Sequence, residues 1–120
     1  MGKRNYAERL YGKFSRDEIC DCDSGIDLFG KKLLVNLHLG IRNLMLHGIN
    51  AREFFADNIC SLRDCVIIGD EISSGVIPIE KFERDWRDET GRIYQFLSSE
   101  ADIVDRVWAG LALRLKGEIL

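Results

Sequence analysis

No apolar run in this chain of 120 residues is longer than a few positions. That excludes a bilayer-spanning helix, which needs about 20 predominantly apolar residues in succession. The opening Met1-Gly-Lys-Arg-Asn-Tyr6 has no apolar stretch of a secretory leader, so a cytoplasmic protein is expected. Paired Cys-x-x-Cys spacing is missing as well. The four cysteines, Cys20, Cys22, Cys60 and Cys65, form Cys-x-Cys and Cys-x4-Cys patterns, which do not build a structural zinc site. Without a secretory signal, disulfides are not expected, and Cys65 in a buried strand and Cys60 in a helix should act as small hydrophobes. The net charge of −3 lacks the positive excess of a general nucleic-acid binder. Internal repeats, low-complexity tracts and linkers are absent too, and one domain over residues 1–120 is expected. Charge is nonetheless uneven: Lys3, Arg4, Arg9, Lys13 and Arg16 face only Glu8 in the opening segment. Such a segment attracts anions such as phosphates, and a solvated helix face accounts for it equally well.

What is present is an alternation of elements. Asn5 to about Lys13 reads as a helix, with Tyr6, Ala7, Leu10 and Tyr11 on one face and Gly12 at its end. Ile19–Cys22 reads as a short strand closed by an Asp23-Ser24-Gly25 turn. Lys31–His47 carries the clearest helical stripe, Leu34, Leu37, Ile41, Leu44 and Met45, with Gly48 as a stop. Ala51–Leu62 is a second helix whose Phe54, Phe55, Ile59 and Leu62 face inward. Glu80 to about Glu100 is a long amphipathic helix marked by Phe82, Trp86, Ile93, Phe96 and Leu97. Gly91 interrupts it at a cost of about 1 kcal/mol against alanine, which predicts close approach of another element there. Val104–Ala109 and Leu111–Lys116 read as strands. Strand and helix alternate, so the class is α/β with a largely parallel sheet.

The most informative segment is Cys65-Val-Ile-Ile-Gly-Asp-Glu71. Cys65–Ile68 has the apolar, β-branched character of a strand buried on both faces. Asp70 and Glu71 follow at its carboxyl end, where open α/β sheets bind ligands. Two acids there suit a magnesium–nucleotide site, one holding the ion and one orienting or deprotonating the attacking group. An ordinary acidic turn after a strand has the same pattern. Asp21 and Asp23 pose the same choice between a second magnesium-facing pair and a turn cap.

The segment Ile67-Ile-Gly-Asp-Glu-Ile-Ser-Ser-Gly-Val-Ile-Pro-Ile-Glu-Lys-Phe-Glu-Arg-Asp-Trp-Arg-Asp-Glu-Thr-Gly-Arg92 resembles the bifunctional adenosylcobinamide kinase/adenosylcobinamide-phosphate guanylyltransferase family of cobalamin biosynthesis. There a buried strand ends in an acidic pair or Asn-Glu and leads through a Gly-x-Gly-Ile-Val-Pro loop into a helix with Arg-Asp-x-x-Gly-Arg. Val107-Trp-Ala-Gly-Leu-Ala-Leu-Arg-Leu-Lys116 is similar to that family's closing strand. The resemblance implies a P-loop NTPase-like fold, a mostly parallel open sheet flanked by helices. It implies Mg2+, ATP or GTP as substrate, and phosphoryl transfer to the aminopropanol hydroxyl of a corrinoid.

By the same resemblance, Gly2-Lys3-Arg4-x-Tyr6-Ala7-Glu8 looks like the tail of the family's phosphate loop and the helix after it. Only Met1 precedes Gly2, so the usual first strand and the front of the loop are not in this sequence. Arg4 stands where a magnesium-ligating hydroxyl belongs. An upstream natural start and a reduced site both fit. Gly2, Lys3, Gly75 and Arg92 are implied as nucleotide-binding residues, Asp70 as the metal ligand and Glu71 as the group on the substrate hydroxyl. Gly75 and Pro78 would shape the loop over the nucleotide. Arg87 and Arg92 would face phosphate, a neighbouring subunit of a homo-oligomer, or simply solvent. The family's guanylyl-accepting Arg-Ile-x-x-His-x-x-x-Arg motif does not occur here. Of the two histidines, His38 has Arg42 one turn later and is the candidate acceptor; a helix-surface histidine without chemistry is the alternative. A non-catalytic nucleotide-binding or structural homologue is the competing reading of the whole chain.

Overall fold

Leu33-Leu34-Val35, two buried leucines and a β-branched residue, forms the middle of the sheet. A computed structural model describes residues 2–72, 80–108 and 111–117. Helix α1 covers Lys3–Tyr11, strand β1 Ile19–Asp21, strand β2 Leu33–Val35 and helix α2 Leu37–Leu46. Helices α3 (Ala51–Asp57) and α4 (Ile59–Leu62) lead to strand β3 (Val66–Ile67). Helix α5 (Lys81–Glu100) and strands β4 (Val104–Trp108) and β5 (Leu111–Lys116) complete the chain.

β2 pairs in parallel with β1 on one side and β3 on the other. Leu33 and Leu34 are 0% and 1% exposed, so the burial of this sheet falls on its centre. Around them Leu37, Ile41, Phe55 and Ile93 contribute the buried faces of α2, α3 and α5. The architecture is therefore α/β, a three-stranded parallel sheet with helices packed against it. Among the described residues no helix is long and apolar enough to cross a membrane.

Several expectations need correction. The helix expected over Lys31–His47 is a strand, a turn and a shorter helix. Leu34 belongs to the helical stripe by spacing, yet β1 and β3 supply its backbone partners: Ile68 N–H donates to the Leu34 carbonyl at 2.8 Å. Asn36 then reverses the chain with φ of 57°, a left-handed conformation that asparagine tolerates better than most residues. The helix expected over Ala51–Leu62 breaks at Asn58, whose side chain donates to the Phe54 carbonyl at 2.8 Å. Cys65–Ile68 is half-buried rather than covered on both faces, and only Val66 and Ile67 have strand geometry. Among the described strands β3 lies at the edge.

Strands β4 and β5 do not join the parallel sheet. They form a separate antiparallel hairpin, with Asp105 opposite Arg114 and Trp108 opposite Leu111. The physical reason is connection length: two residues separate the strands, and a parallel pair needs a crossover of a dozen or more. Gly91 meets no close neighbour either; a Cβ there would have nothing within 4 Å. All four cysteines are free, with Cys20 and Cys22 buried and Cys60 exposed, so Cys60 is not the small core residue expected.

Candidate functional site at the carboxyl edge of the sheet

The three parallel strands all end on one edge, and their exits place polar side chains there. β1 ends at Asp21, whose Oδ1 accepts from Asp23 N–H at 3.1 Å and from Asn36 Nδ2 at 3.0 Å. Those bonds make Asp21 a turn cap that ties the exit of β1 to that of β2. After the Asn36 reversal, the first turn of α2 carries His38, which is 8% exposed. β3 continues through Ile68 and Gly69 to Asp70. Lys3, the first residue of α1, reaches the same place from the opposite end of the chain.

Lys3 Nζ and Asp70 Oδ1 are 2.9 Å apart, and His38 Nε2 lies 3.7 Å from Asp70 Oδ2. The Lys3 hydrogen bond holds the Asp70 carboxyl below the usual carboxylate range, against an opposing push from partial burial. Burial lowers His38, Lys3 lowers it further, and the Asp70 charge only partly opposes this. His38 is thus neutral near pH 7. Its Nδ1 accepts the Asp70 main-chain N–H at 3.1 Å, which assigns the ring proton to Nε2, facing the Asp70 carboxylate.

Helix α5 braces this arrangement from behind. Trp86 Nε1 donates to the His38 carbonyl at 2.8 Å, and the Tyr94 hydroxyl donates to the Asp70 carbonyl at 2.7 Å. Tyr94 stays a donor because burial, with Asp70 and Glu71 nearby, pushes its hydroxyl well above the ordinary tyrosine value. Gly69 makes room for it: a Cβ there would overlap the Tyr94 hydroxyl.

The remaining expected site residues are placed differently. Glu71 points to β4, where Arg106 Nε and Nη2 lie 3.2 and 3.4 Å from its two carboxylate oxygens. Gly2 has φ of 82° and precedes α1, and its carbonyl accepts from Tyr6 N–H at 2.9 Å. Arg4 pairs with Glu8 at 3.3 Å on the exposed face of α1. Arg92 is exposed, and its position is about 200° around α5 from Tyr94, so the helix does not bring it to the cluster. Arg87 is half-buried and shares the Tyr94 face by spacing. Arg42, one turn after His38, is committed to α5: it pairs with Glu83 at 2.6 Å and stacks over Trp86 and Phe82. Gly75 and Pro78 lie outside the described residues. An open groove of about 360 Å³ beside Asp23, Asn43 and His47 does not take in the cluster.

Sequence reasoning missed Asn36, Trp86 as a donor, Tyr94 and Arg106. The available signal was that inward-facing tyrosine and tryptophan side chains ordinarily find a polar partner.

Among the described residues no group of three or more histidines, cysteines and carboxylates could by itself cage a metal ion. Asp70 offers one ionised carboxylate, more than half exposed. That donor set suits Mg2+ arriving with phosphates and water, which needs only one or two protein carboxylates.

A family model described as cobinamide kinase / cobinamide phosphate guanyltransferase matches residues 35–115. The matched span is well over half of the chain and runs from the last residue of β2 almost to the end of β5, taking in His38, Asp70, Glu71 and Tyr94. Gly2 and Lys3 lie outside it. No curated protein matches the chain.

Proposed function

We propose that this chain, which belongs to the cobinamide kinase / cobinamide phosphate guanyltransferase family, binds a magnesium nucleotide at the carboxyl edge of its parallel sheet. The reaction served is transfer of the γ-phosphoryl group of ATP or GTP to the aminopropanol hydroxyl of a corrinoid. The observation that carries this reading is the 2.9 Å pair of Lys3 and Asp70 beside neutral His38. It sits where the strands of an open α/β sheet present their ligands.

In this reading Lys3 exchanges its carboxylate partner for a phosphate oxygen, a like-for-like charge-assisted contact. The exchange leaves Asp70, still ionised, for the magnesium that accompanies the triphosphate. That ion, when bound, neutralises charge developing on the transferred group. His38 Nε2–H adds a neutral donor facing the same space. The P-loop-like character that goes with the family resemblance supports the assignment, with Lys3 as its phosphate lysine.

Calorimetric titration with Mg·ATP and Mg·GTP is the test. A dissociation constant on the order of micromolar is expected, and Lys3→Ala should weaken it about tenfold or more. Absence of heat at millimolar nucleotide would remove the reading.

A second reading, binding without transfer, is favoured by one contact. Arg106 engages both carboxylate oxygens of Glu71, the group wanted for the substrate hydroxyl. Phosphate passing from labelled nucleotide to adenosylcobinamide decides between the two: label in the corrinoid supports transfer, and tight nucleotide binding without label supports the alternative.

A further inference from the structure

Asp70 stands beyond the last ladder bond of β3, the one from Ile68 N–H to the Leu34 carbonyl. Its own main-chain groups have left the sheet. Both are nevertheless bonded, and each to a side chain. The N–H goes to His38 Nδ1 at 3.1 Å, and the carbonyl receives the Tyr94 hydroxyl at 2.7 Å. The two side chains come from separate helices, α2 and α5. Trp86, two turns before Tyr94 on α5, holds the His38 carbonyl at 2.8 Å and locks the helices to each other. Gly69 completes the arrangement, because any side chain there would displace the tyrosine hydroxyl.

We propose that His38 and Tyr94 are positioning residues that clamp the Asp70 main chain and aim its carboxylate at Lys3, and that His38 acts as a hydrogen-bond donor rather than as an acceptor of a phosphoryl or nucleotidyl group. The proposal deepens the nucleotide-site reading above and rests on it.

The chemistry of the ring carries the second half. An imidazole attacks phosphorus through the nitrogen that holds the lone pair. In His38 that nitrogen is Nδ1, and the Asp70 N–H already occupies it. The other nitrogen, Nε2, carries the proton and faces Asp70 Oδ2 at 3.7 Å. Attack through Nε2 would require the proton on Nδ1, where it would face the Asp70 N–H head-on. The clamp and the acceptor role therefore exclude each other.

The first half follows from accounting for backbone polar groups. Past the strand these groups have no ladder partner, and side chains from two other elements take both of them. Asp70 is thereby held at two points, while its carboxylate, paired with Lys3, remains over half exposed.

The experiment is ¹⁵N and ¹³C NMR on the full chain, paired with calorimetry on four variants. In the unsubstituted protein, His38 should show a pyridine-like Nδ1, a pyrrole-like Nε2 and a scalar coupling across the hydrogen bond to the Asp70 amide nitrogen. The opposite tautomer, or no coupling, would overturn the clamp whether or not the chain binds nucleotide. Tyr94→Phe keeps the ring and removes the donor; Gly69→Ala displaces the same hydroxyl. Both should shift the Asp70 carboxylate ¹³C signal and weaken Mg·ATP about tenfold, with the fold retained by amide dispersion. His38→Asn keeps an acceptor near the place of Nδ1 and should restore most of what His38→Leu loses. Equal losses in these two histidine variants, or wild-type affinity and carboxylate signal in Tyr94→Phe and His38→Leu, would overturn the positioning role. No nucleotide binding by the unsubstituted chain would instead remove the functional reading and leave the NMR signature to decide the clamp.

Discussion

Two β regions of this chain are held together by opposite means. In the parallel sheet, Leu33 and Leu34 are 0% and 1% exposed, and Leu37, Ile41, Phe55 and Ile93 close over them. In the hairpin, Trp108, Leu111, Leu113 and Leu115 are between 44% and 62% exposed. What fixes the hairpin is polar. Arg114 binds both oxygens of Asp105 at 2.5 and 2.9 Å, and the Tyr6 hydroxyl of α1 donates to Asp105 Oδ2 at 2.8 Å. The hydrogen bond to Asp105 is also what pushes the Tyr6 hydroxyl above its ordinary value. Arg106 on β4 adds its pair with Glu71. Apolar burial thus sets the stability of the sheet, and a few directional contacts set where the hairpin sits.

The contrast is broken most severely at Phe55, 1% exposed in the core. Phe55→Ala should cost about 3–5 kcal/mol in chemical denaturation; a loss under about 1 kcal/mol would show that the core is elsewhere. Asp105→Ala removes the carboxylate that both Arg114 and the Tyr6 hydroxyl bond and should loosen the hairpin, by less than Phe55→Ala costs the core. Hydrogen exchange should then accelerate in β4 and β5 well before β2, and uniform acceleration would mean that the two regions unfold as one. Glycine substitutions sharpen the same comparison inside the helices. Gly91→Ala on α5 meets nothing within 4 Å and should stabilise by up to about 1 kcal/mol. Gly40→Ala on α2 would put its Cβ 2.6 Å from the Cys22 Cβ and should destabilise.

The smallest effect is the dependence of stability on pH at the site. Asp70 is lowered by Lys3 and His38 by burial, so the unfolded chain binds more protons than the folded one in both windows. Stability from His38 should fall as pH drops from about 6.5 toward its lower folded value. That from Asp70 should fall as pH drops below about 4 through its depressed folded value. Exposure of the Asp70 carboxylate screens its share. Urea midpoints of the wild type and of Lys3→Ala across pH 3–7 would show it, the variant losing the lower step; an unchanged lower step would detach Lys3 from Asp70.

Much of the core was legible because its apolar residues recur at the right spacing. Ile41, Leu44, Phe55, Leu62 and Ile93 were read as inward-facing and are buried or nearly so. β2 was not legible: Leu34 satisfies helix and strand patterns alike, and only pairing with strands distant in sequence decides between them. The antiparallel hairpin was legible in principle from its two-residue connection, although alternation of elements suggested otherwise. At the site, Asp70 and Lys3 could be nominated through the family motif, but their meeting depends on how α1 lies across the exit of β3. Trp86 and Tyr94 carried only the general signal that inward-facing aromatic residues with a polar atom find a partner; helical spacing does not say that the partners are His38 and Asp70.

The contrast between regions also has an optical counterpart. The chain holds two tryptophans, and the fold assigns one to each: Trp86, its indole bonded to the His38 backbone, and Trp108, exposed on the hairpin under Arg106. Replacing Trp108 with phenylalanine leaves a fluorophore that reports ligand arrival at the sheet edge. The reciprocal replacement leaves one that watches the hairpin detach. A single emission spectrum, read in the two variants, can time the loosening of one half against the other.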